Sequence, residues 1–133
     1  LIENVLKLFY HLGEKDGTFK KQRSTSVLLA SRDLRIKELN RGLHLLKKEH
    51  WLRKKGDNWL ITQSGLNEAK RIIKLHRLWE MYLNQRLKLE PDHVHNDAEA
   101  IEHIITPELE KQLEKELNYP TKDPHESIIP YSE

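Results

Sequence analysis

Apolar residues at Ile2, Val5, Leu6, Phe9 and Leu12 recur at the interval of one helix face, and Gly13 behind them is a C-cap residue, which predicts a short first helix. The polar stretch GEKDGT separates it from a second helix predicted over about Gln22 to Ala30, with Val27, Leu28 and Leu29 as its apolar content. Ser31 reads as the N-cap of a third helix from Arg32 to about His50. In that helix Ile36, Leu39, Leu43 and Leu46 form a stripe for the core, while Lys37, Arg41, His44 and Lys48 lie nearly opposite. Trp51 to Lys55 and Trp59 to Ile61 then read as two short strands joined by a tight turn of Gly56, Asp57 and Asn58.

The second half of the chain is helical by the same criterion. A long helix from about Gln63 to Leu87 places Leu66, Ala69, Ile73, His76, Glu80, Leu83 and Leu87 on one stripe. Leu89-Glu90-Pro91 breaks it. A further helix over Asp92 to Ile105 carries Val94, Ala98, Ile101 and Ile105 on an apolar face. Thr106, Pro107 and Glu108 open a last one, with Leu109, Leu113 and Leu117 on one side. Asn118, Tyr119 and Pro120 stop that helix, and the tail TKDPHESIIPYSE has no periodicity, so an ordered loop is the most it predicts.

Polar residues in this framework carry the candidate chemistry. His95, Glu99, Glu102 and His103 fall at i, i+4, i+7 and i+8, so two imidazoles and two carboxylates share one helix face beside the apolar one. That is the pattern of a metal-binding face. His76 and Glu80 occupy an apolar stripe, where a hydrogen-bonded buried pair is the plain reading and a share in the metal face is the sharper one. Nitrogen and oxygen donors suit Mn2+, Fe2+, Co2+ or Zn2+, and a carboxylate-rich, sulfur-free set leans toward manganese. His93 and His125 lie off this face and read as surface histidines.

In the first half, three helices followed by a basic hairpin make a winged helix-turn-helix. The third helix of such a fold lies in the DNA major groove, and the wing touches backbone phosphates. Lys37, Arg41, His44 and Lys48 are then the groove-facing set, Asn40 a base reader able to pair with adenine, and Arg53, Lys54 and Lys55 the wing contacts. A solvated helix face accounts for the basic stripe alone. The predicted architecture is mainly α, with a winged helix-turn-helix over residues 1–65 and a helical metal-binding domain over residues 66–133, to which the resemblance described below adds dimerisation.

Charge separates the same two halves. Residues 1–75 hold 17 Lys+Arg against 8 Asp+Glu, a net of +9, and residues 76–133 hold 6 against 13, a net of −7. The basic half suits a polyanion, and the acidic half, with five of the eight histidines, suits cations. The chain has no cysteine, which excludes disulfides, thiolate zinc sites and cysteine nucleophiles. No nucleophile motif, phosphate-binding loop or lid accompanies Glu99 and Glu102, so an enzyme is not predicted. No apolar run approaches the roughly 18 residues a membrane helix needs, and a cytoplasmic location is the expectation.

These residues resemble the DtxR/MntR family of metal-dependent transcriptional regulators over nearly the whole chain, most strongly from His76 to Pro130. The motifs that carry the resemblance are LHRLWE (Leu75 to Glu80), VHNDAEAIEH (Val94 to His103), the TPELE helix start and DPHESIIP (Asp123 to Pro130). It implies Glu99, Glu102 and His103 as primary metal ligands, with His76, Glu80 and His95 as the neighbouring set. It further implies Mn2+ or Fe2+ as the metal, a homodimer formed through the acidic half, and double-stranded DNA as the partner. Glu99 stands where iron-sensing members carry cysteine and manganese-sensing members a carboxylate. The first-helix positions from which members supply further ligands fall on Asn4 and Lys7, neither of them a good ligand, and the segment KKQRSTSVLLASRDLR departs from the family pattern.

A second resemblance is to DtxR-like domains at the cytosolic C-termini of metal-transporting ABC permeases. It rests on HRLWEMYL, PDHVHNDAEAIEHIITPELE and DPHESIIP. In that setting the fold would sense metal or mediate contacts and DNA binding would be optional, and a start on Leu1 rather than Met fits an excised domain.

Overall fold

The computed structural model describes residues 2–31, 35–86 and 106–131, and the chain divides into two units, Leu1–Lys70 and Arg71–Glu133. The described elements are α1 (Ile2–Asp16), β1 (Arg23–Ser24), α2 (Thr25–Ser31), α3 (Ile36–Lys48), β2 (Leu52–Lys55), β3 (Asn58–Ile61), α4 (Gln63–Arg86) and α5 (Pro107–Glu116). The fold is therefore mainly helical, with one small antiparallel sheet of strand order β1-β3-β2.

In the first unit α1 packs on α3, which abuts β2. Val5, Leu6, Leu28, Leu39, Leu43 and Leu46 are wholly buried there. The helix α1 continues past Gly13, contrary to the sequence reading, and ends at Asp16 before Gly17, whose φ of +77° takes the left-handed turn instead. Gly13 serves close approach: a Cβ there would lie 2.3 Å from the Phe19 ring. Asp16 and Thr18 then anchor Arg23, which donates to Asp16 Oδ2 at 2.5 Å and to the Thr18 carbonyl at 2.9 Å.

That anchored arginine belongs to β1, an element the residue pattern does not predict. Two residues are too few for alternation to show, and β1 exists because β3 offers it a partner, with Arg23 opposite Trp59 and Ser24 opposite Asn58. The second helix consequently begins at Thr25 rather than near Gln22. The third begins at Ile36 with Arg35 as an uncapped N-cap, and Ser31 closes α2 instead of opening α3. At its far end His50 (φ +63°) takes the left-handed position of a Schellman motif, with His50 N–H on the Lys47 carbonyl and Trp51 N–H on the Leu46 carbonyl, both at 3.0 Å.

The hairpin turns on Gly56 and Asp57, so that Lys55 pairs with Asn58, Lys54 with Trp59 and Leu52 with Ile61. Thr62 joins it to α4: its hydroxyl donates to the His50 carbonyl at 2.8 Å and accepts from Gly65 N–H at 3.0 Å. A Cβ on Gly65 would meet the Trp51 carbonyl oxygen at 2.1 Å, so only glycine allows this approach.

In the second unit Leu78, Leu113, Leu117 and Ile129 form the core, with Trp79, Met81, Tyr82 and Tyr131 packed against it. Thr106 caps α5 through its hydroxyl to Leu109 N–H, with Pro107 just inside the helix, as the sequence predicts. Asn118 (φ +60°) ends α5 in a second Schellman motif. Two stripe assignments need correction, because Ile36 is 55% exposed and Leu109 49% exposed. Each sits in the first turn of its helix, where a face predicted from periodicity runs past the body that covers it.

Candidate metal centre and nucleic-acid interface

The histidine and glutamate in the α4 stripe are both buried. Their side chains are 8% and 3% exposed, one turn apart, and His76 Nε2 lies 2.5 Å from Glu80 Oε1. The other Glu80 oxygen, Oε2, lies 3.4 Å from His125 Nε2. His125 lies at the surface, as the sequence predicts, with its side chain 42% exposed, and from there its ring still approaches Glu80.

Its position follows from the tail. Asp123 Oδ1 accepts from His125 N–H at 2.9 Å and from Ser127 N–H at 2.8 Å, an Asx turn that bends the chain back. Arg77 on α4 holds that turn by donating to the Ile128 carbonyl and by placing its Nε 4.0 Å from Asp123 Oδ2. Ile129 N–H bonds the Thr121 carbonyl at 2.8 Å, and Lys122 bridges to Ile128. The sequence signal for this was the aspartate two positions ahead of the histidine, which periodicity does not register.

A carboxylate as deep as Glu80 needs compensating positive charge, and two imidazoles that approach its separate oxygens leave the donor chemistry of a divalent cation site. These residues fit a Mn2+- or Fe2+-type ion as one side of a centre. They do not complete one: among the described residues no group of three or more His, Asp and Glu is arranged to hold a metal. The predicted ligands His95, Glu99, Glu102 and His103, and also His93, lie outside the described residues. On α1, Asn4 is exposed and Lys7 is 3% exposed.

Every described side chain of the predicted DNA-facing set is on the outside of its element. Lys37, Asn40, Arg41, His44 and Lys48 are exposed along α3, whose opposite face, Leu39, Gly42, Leu43 and Leu46, is buried. Arg53, Lys54 and Lys55 are exposed on β2. A polar cleft between α3 and the hairpin is lined by Thr25, Asn40, His44, Lys54, Asp57 and Trp59. Trp59 lines this cleft as well, a position that the strand pattern of the sequence does not reveal.

A second polar cluster lies apart from His76 and Glu80. Lys74 Nζ forms ion pairs at 2.8 Å from Glu110 Oε1 and 2.7 Å from Glu114 Oε1, and the Tyr131 ring centroid is 5.9 Å from the same ammonium. Burial alone would lower the Lys74 pKa, but the hydrogen bonds and charges of the two glutamates outweigh it and hold the pKa above the ordinary lysine value. Burial, with the Glu114 charge behind it, pushes the Tyr131 hydroxyl up to about 12.

A family model for the iron dependent repressor, metal binding and dimerisation domain, matches residues 62–131. Over 129 residues the chain is 30% identical to the iron-dependent repressor IdeR of Mycobacterium tuberculosis, a match spanning 96% of this chain and 54% of that protein. A 72-residue stretch is 42% identical to a probable metal transport system membrane protein of Chlamydia trachomatis, covering 54% of this chain and 16% of that one. Among solved structures, that of the manganese regulator SloR superposes with a TM-score of 0.82 at 28% identity, over 98% of this chain and 59% of the other. The chain spans little more than half the length of these repressors and a small part of the transport protein.

Proposed function

The chain belongs to the iron-dependent repressor family, through its metal-binding and dimerisation domain, and on that premise we propose that it is a homodimeric, Mn2+- or Fe2+-responsive DNA-binding transcriptional regulator. The observation that carries this reading is one chain holding both an outward cationic helix with a basic wing and a buried histidine-glutamate pair met by a second imidazole. In this reading Lys37, Arg41, His44 and Lys48 enter the major groove with Asn40 as base reader, and Arg53, Lys54 and Lys55 engage phosphates. His76, Glu80, His95, Glu99, Glu102 and His103 hold the metal, and His125 joins them through Glu80. Zn2+ and Co2+ suit the same donors. The role is regulatory rather than enzymatic.

A gel-shift titration tests it. The protein should retard duplex DNA in a salt-dependent way, and Mn2+ should enhance the shift. No retardation with or without Mn2+ would remove the DNA reading. Glu102→Ala combined with His103→Ala should abolish Mn2+ binding in a calorimeter, and unchanged affinity would reduce that face to a polar helix interface.

The identity to a metal transport membrane protein favours a second reading, a cytosolic metal-sensing domain of a permease. Intact Mn2+ binding without any DNA shift would select it. Among the described residues no helix is long and apolar enough to cross a membrane.

A further inference from the structure

Trp59 sits in the middle strand of the sheet, opposite Arg23 of β1 and Lys54 of β2. It is 4% exposed, yet two exposed members of the DNA-facing set rest on its ring. Lys54 Nζ lies 5.6 Å from the ring centroid, within cation–π range. His44 of α3 meets the same ring edge-on, with centroids 6.2 Å apart and planes at 89°. One buried indole thus contacts a side chain from the helix and one from the wing.

The consequence is preorganisation. A lysine on a flexible stem loses rotamer freedom when a phosphate fixes it, and a ring beneath its ammonium restricts that freedom in advance. We propose that Trp59 is a positioning residue for nucleic-acid binding: it sets the spacing of Lys54 on the wing and His44 on the third helix, so that both engage the duplex as one unit. This rests on the DNA-binding reading above.

The test uses the full chain with saturating Mn2+ and a fluorescent mixed-sequence duplex about three helical turns long. Affinity is followed by anisotropy over roughly 50 to 200 mM salt. Lys54→Ala should flatten the plot of log affinity against log salt by about 0.9, the release expected from one phosphate contact. Trp59→Leu should flatten it equally and weaken binding roughly tenfold, about what loss of one cation–π contact allows. Adding Lys54→Ala to Trp59→Leu should change the slope no further. Trp59→Phe, which keeps a ring beneath the ammonium, should hold the wild-type slope. If Trp59 only fills the core, Trp59→Leu lowers the melting temperature and leaves the slope of the folded protein unchanged, and that result overturns the proposal.

A cycle on exposed residues gives an independent answer even where Trp59→Leu does not fold. Lys54→Ala and His44→Ala should together lose less affinity than the product of their single losses, because both act through one ring. Simple multiplication of the two losses overturns the proposal. A wild-type chain that binds no duplex at any salt removes the DNA reading itself. Binding with unaltered slopes removes only the role of Trp59.

Discussion

On α3 the charged residues Lys37, Arg41 and Lys48 lie outward, over a face of wholly buried leucines. Along Lys74 to Glu80 of α4 the opposite holds, since Lys74, His76, Arg77 and Glu80 are each 9% exposed or less. Exposed cations contribute little to stability and remain free to meet a polyanion. Buried ones persist only with partners, and each has them here: Lys74 with Glu110 and Glu114, His76 with Glu80, Arg77 with Asp123 and the Ile128 carbonyl. The contrast teaches that α3 leaves its cations at the surface, while this stretch of α4 has built its charge into the structure.

Substitution of Glu80 should give the largest effect on that contrast. Glu80→Ala leaves two imidazoles without the carboxylate between them, and Mn2+ affinity by calorimetry should fall roughly 10–100-fold. A change below threefold would mean that the pair is structural only. Lys74→Met comes next. It strands two largely buried carboxylates, and denaturant unfolding should show a loss of about 3–5 kcal/mol. Hydrogen exchange should place that loss in the second unit, and equal weakening of both units would blur the division drawn here.

The effect of pH should be smallest and opposite in sign in the two units. Lys74 and Tyr131 have raised pKa values in the folded chain, so their contribution is complete below about pH 10 and is lost as the pH rises through the folded-state values, about 12 for Tyr131. Asp16 is held below its usual value by the hydrogen bond from Arg23. Its contribution is complete above about pH 4 and is lost as the pH falls through the folded-state value. Exchange profiles at alkaline and acid pH should therefore loosen the second and the first unit respectively. The same unit loosening at both extremes would contradict the assignment.

The stripes legible in the sequence are Leu39, Leu43 and Leu46 on α3 and, on α4, Leu66 and Ala69 in the first unit and Ile73, His76, Glu80 and Leu83 in the second, all of them buried. The repeat misled in the first turns, at Ile36 and Leu109. It was silent on β1, whose pairing is set by a strand more than thirty residues downstream. Gly13 against Gly17 shows a similar limit, since either glycine can end a helix, and here Gly17 takes the positive φ while Gly13 makes room for the Phe19 ring. At the candidate metal centre, His76 and Glu80 stood out because polar residues interrupted an apolar stripe. His125 did not, because an Asx turn and Arg77, rather than any periodicity, carry it to Glu80.

A metal-responsive regulator of the proposed kind requires metal binding by the acidic half and DNA binding by the basic half to be coupled. Linkage makes this measurable from the metal side, by titrating Mn2+ calorimetrically into the chain alone and into the chain saturated with duplex. DNA should tighten Mn2+ binding by the same factor by which Mn2+ tightens DNA binding, within roughly the 5–150-fold usual for such couplings. Equal Mn2+ affinities with and without DNA would contradict a metal-responsive regulator.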